Sequence, residues 1–357
     1  FKIKKYKDIV DGYFFWGVEQ FNSFKEKSGL GKDSIHLTGS PRYDQCFPRW
    51  KKLIKNINEN HILINTNFSS INPKFSRDKK TEKETFKSTG WGSEYTEKLY
   101  KETERVFPKF LSEIKKIAFT LPEEHFILRP HPFENISFYK SFFNKNSNIE
   151  VQACGEIFDA TNGAKAIIHL NCGTSVDAFF LGIPSISLEY LNTDFLKEHT
   201  PLPSKISMKA SKRGEVIKYI IQNEKVSPEE TNNLFKMFIE PFFYGNDGLA
   251  SERISKVILR QVENPFKIDF INLTKGVLKD STTIGFIFKF LSILLGTHLI
   301  FNLRKKFNFS LKDKEIYLEE ILNITSHFEE LKSNLEISRV SHLSFATKLA
   351  SYKLKRK

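Results

Sequence analysis

The chain has 357 residues, of which 40% are hydrophobic. This length and composition allow two domains with cores of their own and exclude a disordered chain. The formal net charge is +13, and residues 265–357 contain 16 basic and 9 acidic residues. A positive excess favours anionic partners, but it does not choose among nucleic acid, an anionic lipid surface and sugar nucleotides.

The predicted elements begin with a strand at residues 11–16, a helix at 18–27 and a strand at 34–38. We expect these to be the closing units of an α/β domain whose opening units are missing from the sequence. From His61 onward, short apolar strands alternate with helices. Strands are predicted at 61–65, 125–128, 149–152, 166–170 and 185–188, and helices at 94–117, 136–143 and 176–181. This alternation predicts βα units on a parallel sheet, with ligands at the carboxyl ends of the strands.

A long charged loop at residues 67–92 follows the strand at 61–65. Loops longer than about 12–15 residues are commonly functional lids or mobile segments. We weigh a lid at the edge of the site and a solvated surface insertion as equal alternatives. Beyond Ser207 the pattern predicts helices, which are expected at 212–222, 228–238 and 249–262.

The basic tail contains an apolar helix, predicted at residues 283–303. It has nearly the length of a membrane span, but Lys289 lies inside it and is costly at the centre of a bilayer. Basic residues on both sides favour a helix at an anionic membrane surface, and packing against protein is an equal alternative. Residues 311–357 show helical periodicity and are predicted to form an accessory helical tail.

The string Arg129-Pro130-His131-Pro132 follows the predicted strand at 125–128. A guanidinium matches phosphate oxygens, and the two prolines hold His131 in an extended turn. Arg129 and His131 can together hold a phosphate and stabilise a leaving oxygen. A solvated loop would explain either residue alone, whereas the whole string at a strand end favours a function.

The turn at residues 171–175 is the second candidate, and it precedes a predicted helix. Gly173 lets the backbone approach a ligand, while the hydroxyls of Thr174 and Ser175 can either cap the helix or bind a phosphate oxygen. A helix N-terminus favours an anion. Because this turn and the Arg129 string lie on neighbouring units, we expect one phosphate or diphosphate site.

Two charged residues follow other predicted strands. Glu189 ends the strand at 185–188, where it either accepts hydrogen bonds from a ribose or base or remains a surface carboxylate. Arg42, in the turn at 39–44, is expected to face the same cleft.

The three cysteines, Cys46, Cys154 and Cys172, have no paired spacing. This argues against a disulfide scaffold or a zinc site and favours a reducing compartment. Cys172 is more typical of a small buried residue than of a nucleophile.

Four strings follow one another along the chain: TGSPRYD at 38–44, INTNF at 64–68, RPHP at 129–132 and LNCGTS at 170–175, followed by Gly182-Ile183-Pro184. In their order and spacing they resemble the strings of bacterial surface carbohydrate biosynthesis proteins. This group is similar to the capsule Kdo-transferases, the polysialyltransferases and the CDP-glycerol glycerophosphotransferases, all glycosyltransferases of the two-domain GT-B type. The resemblance covers residues 10–262.

The resemblance implies an α/β fold with twin Rossmann-like domains and a helical tail. Residues 1–57 would end a truncated acceptor-side domain, 58–264 would bind the nucleotide sugar, and 265–357 would form the basic tail. His131 and Arg129 would be catalytic and stabilise the leaving phosphate. The resemblance also places His131-Pro132 and Thr174-Ser175 on the nucleotide phosphate. We expect the nucleotide site to include Arg42, Asn67, Asn171, Gly173 and Glu189 as well.

Two further patterns bear on this resemblance. Residues 247–254 resemble the end of the catalytic domain in such transferases. The acidic pair followed by glycine that supplies their general base does not occur before Asp44, so the base is not identified.

The expected function is transfer of a sugar from a CMP-linked donor to a surface glycan or lipid-linked acceptor. No Asp-x-Asp motif is present, so we expect a metal-independent reaction without a cofactor. We expect the protein to lie in the cytoplasm or at the cytoplasmic face of the inner membrane. The alternatives are a UDP-sugar 2-epimerase and an inactive carbohydrate-assembly protein. Nucleic-acid binding is a less favoured alternative function, because the basic residues are scattered in the tail.

Overall fold

The computed structural model describes residues 10–55, 60–74, 83–84, 86–87, 92–153, 155–262, 335–340 and 351–356. The chain forms two units, Phe1–Ile258 and Leu259–Lys357. The predicted apolar helix at 283–303 lies outside the described residues, as does Cys154.

The first unit is built on parallel strands. Strands β1 (Tyr13–Phe15) and β2 (Ile35–Leu37) form a small parallel pair. The strands of the larger sheet are β3 (His61–Asn65), β4 (Phe126–Arg129), β5 (Ile149–Val151), β6 (Ala164–His169), β7 (Ser185–Leu188) and β8 (Met208–Ala210). Their spatial order is β5-β4-β3-β6-β7-β8, and every neighbouring pair is parallel. The predicted α/β fold with a parallel sheet is therefore confirmed.

Helices connect and cover these strands. They are α1 (Val18–Ser28), α2 (Pro41–Asp44), α3 (Pro48–Lys51), α4 (Ser93–Thr120), α5 (Ile136–Phe143), α6 (Ile157–Thr161), α7 (Thr174–Leu181), α8 (Asp194–His199), α9 (Pro201–Lys205), α10 (Arg213–Ile221), α11 (Pro228–Leu234) and α12 (Ala250–Val262). A π-helical segment, Phe235–Ile239, continues α11. Within the described ranges, no helix combines the length and the apolar character that crossing a membrane requires.

The main core lies between the larger sheet and α4. Leu99, Val106, Phe110, Ile114 and Ile117 recur every three, four or seven residues along α4, so they share one face of the helix. All five are buried against apolar residues of the sheet. Burying each such side chain contributes about 1.5–3 kcal/mol, so this face fixes α4 on the sheet.

Five short elements of the first unit were not predicted from the sequence: β8, α3, α6, α8 and α9. Strand β8 has only three residues, of which Ala210 alone is buried, so it has no apolar run that would mark it as a strand. Helix α8 is capped by Thr193, whose side chain accepts from the backbone N–H of Leu196, and α9 starts at Pro201. Helices of four to six residues are too short to show a repeating apolar face.

In the second unit, the described residues beyond the end of α12 form two antiparallel strands, β9 (Leu335–Val340) and β10 (Ser351–Arg356). The predicted helical tail is therefore wrong for these twelve positions. Apolar and polar residues alternate from Leu335 to Ser338 and from Tyr352 to Lys355, which is the period of a strand rather than a helix. The rest of that prediction lies outside the described residues.

The strings at 38–44 and 247–254 pack against each other in the first unit. The buried carboxylate of Asp44 accepts hydrogen bonds from the backbone N–H groups of Ala250 (3.1 Å) and Ser251 (2.7 Å) at the start of α12. The guanidinium of Arg253 donates to the carbonyl of Thr38 at 3.2 Å. A carboxylate at this end of a helix satisfies donors that the helix itself leaves unpaired.

Replacing Asp44 with alanine should lower the free energy of unfolding by about 1–3 kcal/mol, because two N–H groups at the start of α12 lose their acceptor. Urea unfolding of the purified chain measures the change. Asp33→Ala, which removes an exposed carboxylate, is the matched control and should stay within about 0.5 kcal/mol. Equal stability of the two variants would contradict this role.

Candidate functional site

A buried carboxylate, Glu134, joins the loops that follow β3 and β4. Its Oε2 accepts from Thr66 Oγ1 at 2.8 Å and from the hydroxyl of Tyr139, and its Oε1 accepts from the backbone N–H of Phe68 at 2.7 Å. Burial raises the pKa of Glu134, and these hydrogen bonds oppose that rise. The carboxylate is 2% exposed, so it acts as an internal clamp rather than as a ligand-facing group.

This clamp extends to the His131 backbone through Thr66. The backbone N–H of His131 donates to Thr66 Oγ1 at 3.3 Å, and the imidazole Nδ1 accepts from the backbone N–H of Phe133 at 3.3 Å. Burial lowers the pKa of His131, which favours the neutral ring at neutral pH. With Nδ1 as an acceptor, the neutral ring carries its proton on Nε2. The arrangement gives the site a fixed N–H donor.

The first part of the long loop packs on the loop that follows β4. The backbone N–H of Lys74 donates to the carbonyl of Phe133 at 2.8 Å, and that of Asn135 donates to the carbonyl of Asn72 at 2.9 Å. Residues 67–74 are thus held at the site. Much of the remaining loop lies outside the described residues, so the choice between a lid and a surface insertion stays open there.

The turn after β6 is pinned by two asparagines. Asn171 has a left-handed backbone (φ 53°), and its side-chain amide exchanges two hydrogen bonds of 2.9 Å with that of Asn192. The amide of Asn67, from the β3 loop, donates to the carbonyl of Asn171 at 3.4 Å. The turns on the two sides of the β3/β6 junction are therefore in contact.

Helix α7 starts at this junction. Gly173 is exposed, and no atom outside its immediate chain neighbours lies within 4 Å of the position that a Cβ would take, so its backbone faces open space. Thr174 is buried beside Cys172 (Oγ1 to Sγ, 3.3 Å). Within the described residues, the buried Oγ of Ser175 has no hydrogen-bond partner. The first turn of α7 thus combines an accessible backbone at Gly173 with a fully buried, unpartnered hydroxyl at Ser175.

Two buried groups behind this turn are uncharged. His169 is fully buried, which lowers its pKa to about 4, and its Nε2 lies 2.9 Å from Ser207 Oγ. Burial also raises the pKa of the Cys172 thiol. Cys172 is therefore the buried structural residue that its sequence context predicts.

Arg42 forms an ion pair with the first turn of α7. Its Nε and Nη2 donate to the two oxygens of Asp177 at 3.1 and 2.8 Å, and its guanidinium lies 5.0 Å from the ring centroid of Phe158. The Asp177 side chain is 4% exposed and that of Arg42 is 45% exposed. Arg42 thus lies beside the candidate phosphate turn, and its charge offsets that of a carboxylate.

Arg129 and Glu189 are both engaged by other parts of the protein. The guanidinium of Arg129 donates to the carbonyl of Gly155 in the loop after β5. Glu189 accepts from the hydroxyls of Ser187 (2.8 Å) and Ser204 and pairs with Lys197 at 3.1 Å. Although burial raises the pKa of Glu189, these partners lower it below its ordinary value.

The structure brings most of the predicted residues to the carboxyl ends of β3, β4 and β6. These are Asn67, Arg129, His131, Pro132, Asn171, Gly173, Thr174 and Ser175. Glu189 follows β7, one strand farther from β3. Sequence reasoning missed the supporting residues Glu134, Thr66, Asp177 and Asn192, although Glu134 lies only two residues beyond the RPHP string. Throughout the described part of the chain, no three His, Cys, Asp or Glu residues group as metal ligands.

Comparison with known proteins gives structural similarities only, because no family model and no curated protein matches the sequence. The UDP-GlcNAc 2-epimerase of Methanocaldococcus jannaschii, solved with UDP-GlcNAc and UDP, aligns with 16% identity and a TM-score of 0.40 over 69% of this chain and 60% of that one. The UDP-GlcNAc 2-epimerase of Neisseria meningitidis, bound to UDP-GlcNAc, aligns with 15% identity and a TM-score of 0.40 over 70% of this chain and 62% of that one. The wall teichoic acid polymerase TagF aligns with 12% identity and a TM-score of 0.40 over 71% of this chain and 58% of that one. The chain spans about three fifths of the length of each.

Replacing Glu134 with alanine should lower the free energy of unfolding by about 2–4 kcal/mol, because three buried donors lose their acceptor. Glu134→Gln keeps the shape and one acceptor oxygen, so its loss should be smaller. Urea unfolding measures both, with the exposed Glu123→Gln as control. A stability of Glu134→Ala equal to that of the control would exclude the clamp.

Replacing Arg42 with alanine should lower the free energy of unfolding by about 1–3 kcal/mol at pH 8. The replacement leaves the buried carboxylate of Asp177 unpaired at a site that solvent partly screens. Burial already raises the pKa of Asp177, and Arg42 opposes that rise. The variant therefore has a still higher pKa for Asp177, and its folded state holds an extra proton above pH 4. Since stability then falls as the pH rises, the deficit should be smaller at pH 5 than at pH 8.

The second replacement Asp177→Asn should remove most of this pH dependence in the Arg42→Ala background. Arg105→Ala, which breaks an exposed pair with Glu102, serves as control. A deficit that is identical at both pH values would contradict the ion-pair explanation.

Proposed function

We propose that this chain carries the donor-binding half of a glycosyltransferase that uses a nucleotide-linked sugar. The observation that supports this most is the position of two loops on either side of β3. The RPHP loop follows β4 and the Asn171–Ser175 turn follows β6. Neighbouring strands lie about 4.8 Å apart, so β4 and β6 are about 10 Å apart, which a nucleotide and its phosphates can bridge. Ligands of parallel α/β sheets bind at such a switch point.

The proposed chemistry is electrostatic stabilisation of the leaving nucleotide phosphate. Negative charge increases on that phosphate as the bond to the sugar breaks. The Nε2–H of His131, the guanidinium of Arg129 and the N-terminal turn of α7 supply donors at fixed positions, so little reorganisation is needed during the reaction. Asn67, Asn171, Pro132 and Gly173 would shape the cleft, and the hydroxyls of Thr174 and Ser175 would meet the phosphate.

In this proposal the nucleotide sugar, CMP-linked by the resemblance of the motifs, is a substrate, and no cofactor takes part. The acceptor is a surface glycan or a lipid-linked glycan. Glu189 and Arg42 are assigned to the outer part of the nucleotide site. Association with the cytoplasmic face of the inner membrane through residues 283–303 remains part of the proposal.

Titration of the purified chain with CMP, CDP and UDP should show binding with CMP or CDP preferred. His131→Ala should weaken that binding at least tenfold, which corresponds to about 1.4 kcal/mol. His125→Ala is a matched control, because His125 is an exposed histidine at the opposite end of β4. Its affinity should equal that of the original chain.

Three outcomes would overturn the proposal. Binding of none of the nucleotides would favour an inactive assembly protein. Conversion of a UDP-sugar to its 2-epimer without any acceptor would favour the epimerase. Equal affinities of His131→Ala and His125→Ala would remove His131 from the site.

A further inference from the structure

A second buried carboxylate, Glu113, lies on α4 and outside the candidate site. Its Oε1 accepts from the hydroxyl of Tyr190 at 2.9 Å, and its Oε2 accepts from Nη2 of Arg213 at 3.0 Å. Although burial raises the pKa of Glu113, these partners lower it below its ordinary value. The carboxylate is therefore ionised at neutral pH, and it holds the Tyr190 hydroxyl in place as a donor.

Tyr190 holds a short 3₁₀ turn, Glu189–Leu191, which follows β7. Its ring packs against the main core, and its hydroxyl reaches α4. The backbone N–H of Asn192 donates to the carbonyl of Glu189 at 3.1 Å, which closes the turn. Asn192 thus lies just beyond a side chain that is held at both its ring and its hydroxyl.

The side chain of Asn192 connects this turn to the one after β6. Its amide exchanges two hydrogen bonds of 2.9 Å with the amide of Asn171, and its Oδ1 also accepts from the backbone N–H of Thr193 at 3.0 Å. The Thr193 N–H fixes which end of the Asn192 amide is the oxygen, because only an oxygen can accept it. The orientation of the Asn171 amide is thereby fixed as well.

The conformation of Asn171 sets the direction in which α7 begins. Its φ of 53° lies in the left-handed region, which residues other than glycine adopt at a cost. The backbone N–H of Ser175 donates to the carbonyl of Cys172 at 3.1 Å and closes the turn that follows. A rotation at Asn171 would therefore redirect the whole turn, including the N–H groups at the start of α7 that a bound anion would meet.

We propose that Asn192 and Glu113 are positioning residues of the candidate site. Asn192 holds Asn171 in its left-handed conformation, and Glu113 holds Asn192 in place through the Tyr190 hydroxyl. Neither side chain needs to touch a ligand, because both act on the direction of the α7 N-terminus. That the ligand there is a nucleotide phosphate rests on the proposed function, whereas the link from α4 to the turn does not.

The first test is a double-mutant cycle of Asn192→Ala and Asn171→Gly, measured by amide hydrogen exchange without ligand. Asn192→Ala should speed the exchange of Cys172 and Ser175 by about tenfold or more, because the left-handed turn loses its support. Glycine adopts that conformation without a side-chain partner, so in the Asn171→Gly chain the same replacement should add less than about twofold. A role of Asn192 confined to its own turn would speed the exchange equally in both backgrounds.

Two references separate a local effect from a general loss of stability. The amide of Leu63, in the buried strand β3, reports global unfolding, and its exchange should accelerate less than that of the turn. Asn233→Ala removes an exposed asparagine of α11 and should leave the exchange of the turn unchanged.

Tyr190→Phe tests the step through Glu113, since it keeps the ring in the core and removes only the hydroxyl. It should speed the exchange of Ser175 about threefold or more in the original chain and have little effect once Asn192 is alanine. Tyr219→Phe, which removes a hydroxyl 3.5 Å from the carbonyl of Lys209, is the matched control. Equal exchange in the two tyrosine variants overturns the role of Glu113.

Titration with CMP relates these changes to the site. Asn192→Ala should weaken CMP binding about fivefold or more, and Asn233→Ala should bind as the original chain does. The inference is overturned if these two variants show the same exchange at the turn, if Asn192→Ala acts equally in both Asn171 backgrounds, or if it keeps the original CMP affinity. If the original chain binds no CMP while the exchange shows the expected coupling, only the proposed function is contradicted.

Discussion

Strand β3 separates the two strands whose loops form the candidate site, because the chain returns from β5 to the other side of β3 before it forms β6. In open parallel sheets, ligands bind beyond the carboxyl ends of the strands where the strand order reverses in this way. The core between the sheet and α4 keeps the three strands in register. The geometry of the site therefore depends on the packing of α4 as much as on the residues in the crevice.

Buried polar groups then hold each loop in one conformation. A buried carboxylate without a cation is costly unless donors surround it, and Glu134 meets that condition with Thr66, Phe68 and Tyr139. The two hydrogen bonds between the side-chain amides of Asn171 and Asn192 hold the turn after β6 in one conformation. The Glu134 carboxylate is itself too buried to meet a ligand. These contacts instead restrict the backbone that carries the groups assigned to the site, such as the imidazole of His131.

The strands and long helices were predictable because their apolar residues form either a continuous run or a regular repeat. The apolar run at His61–Asn65 and the repeating apolar face of α4 follow directly from the sequence, and so do the polar strings at the strand ends. The clamp at Glu134 was not predictable, because its partners Thr66 and Tyr139 are separated from each other by more than seventy residues and come together only through strand pairing. The ion pair of Arg42 spans 135 residues for the same reason. Sequence reasoning placed Arg42 in the cleft, but it offered no means of finding Asp177 as its partner.

The charge that an anion would meet at α7 is set locally rather than by the net charge of the chain. A helix N-terminus is equivalent to about half a positive charge, and a carboxylate in the same first turn carries a full negative charge. An unpaired Asp177 would thus reverse the sign of the potential at this end of the helix. Arg42 restores the positive sign by pairing with Asp177. It lies in α2, the helix whose Asp44 accepts a hydrogen bond from the start of α12. The positive residues of the tail are screened beyond about 10 Å in ordinary salt, so they cannot substitute for this pair unless they lie beside it. The link between α2 and α7 is therefore an electrostatic condition for any anion site at the crevice as well as a packing contact.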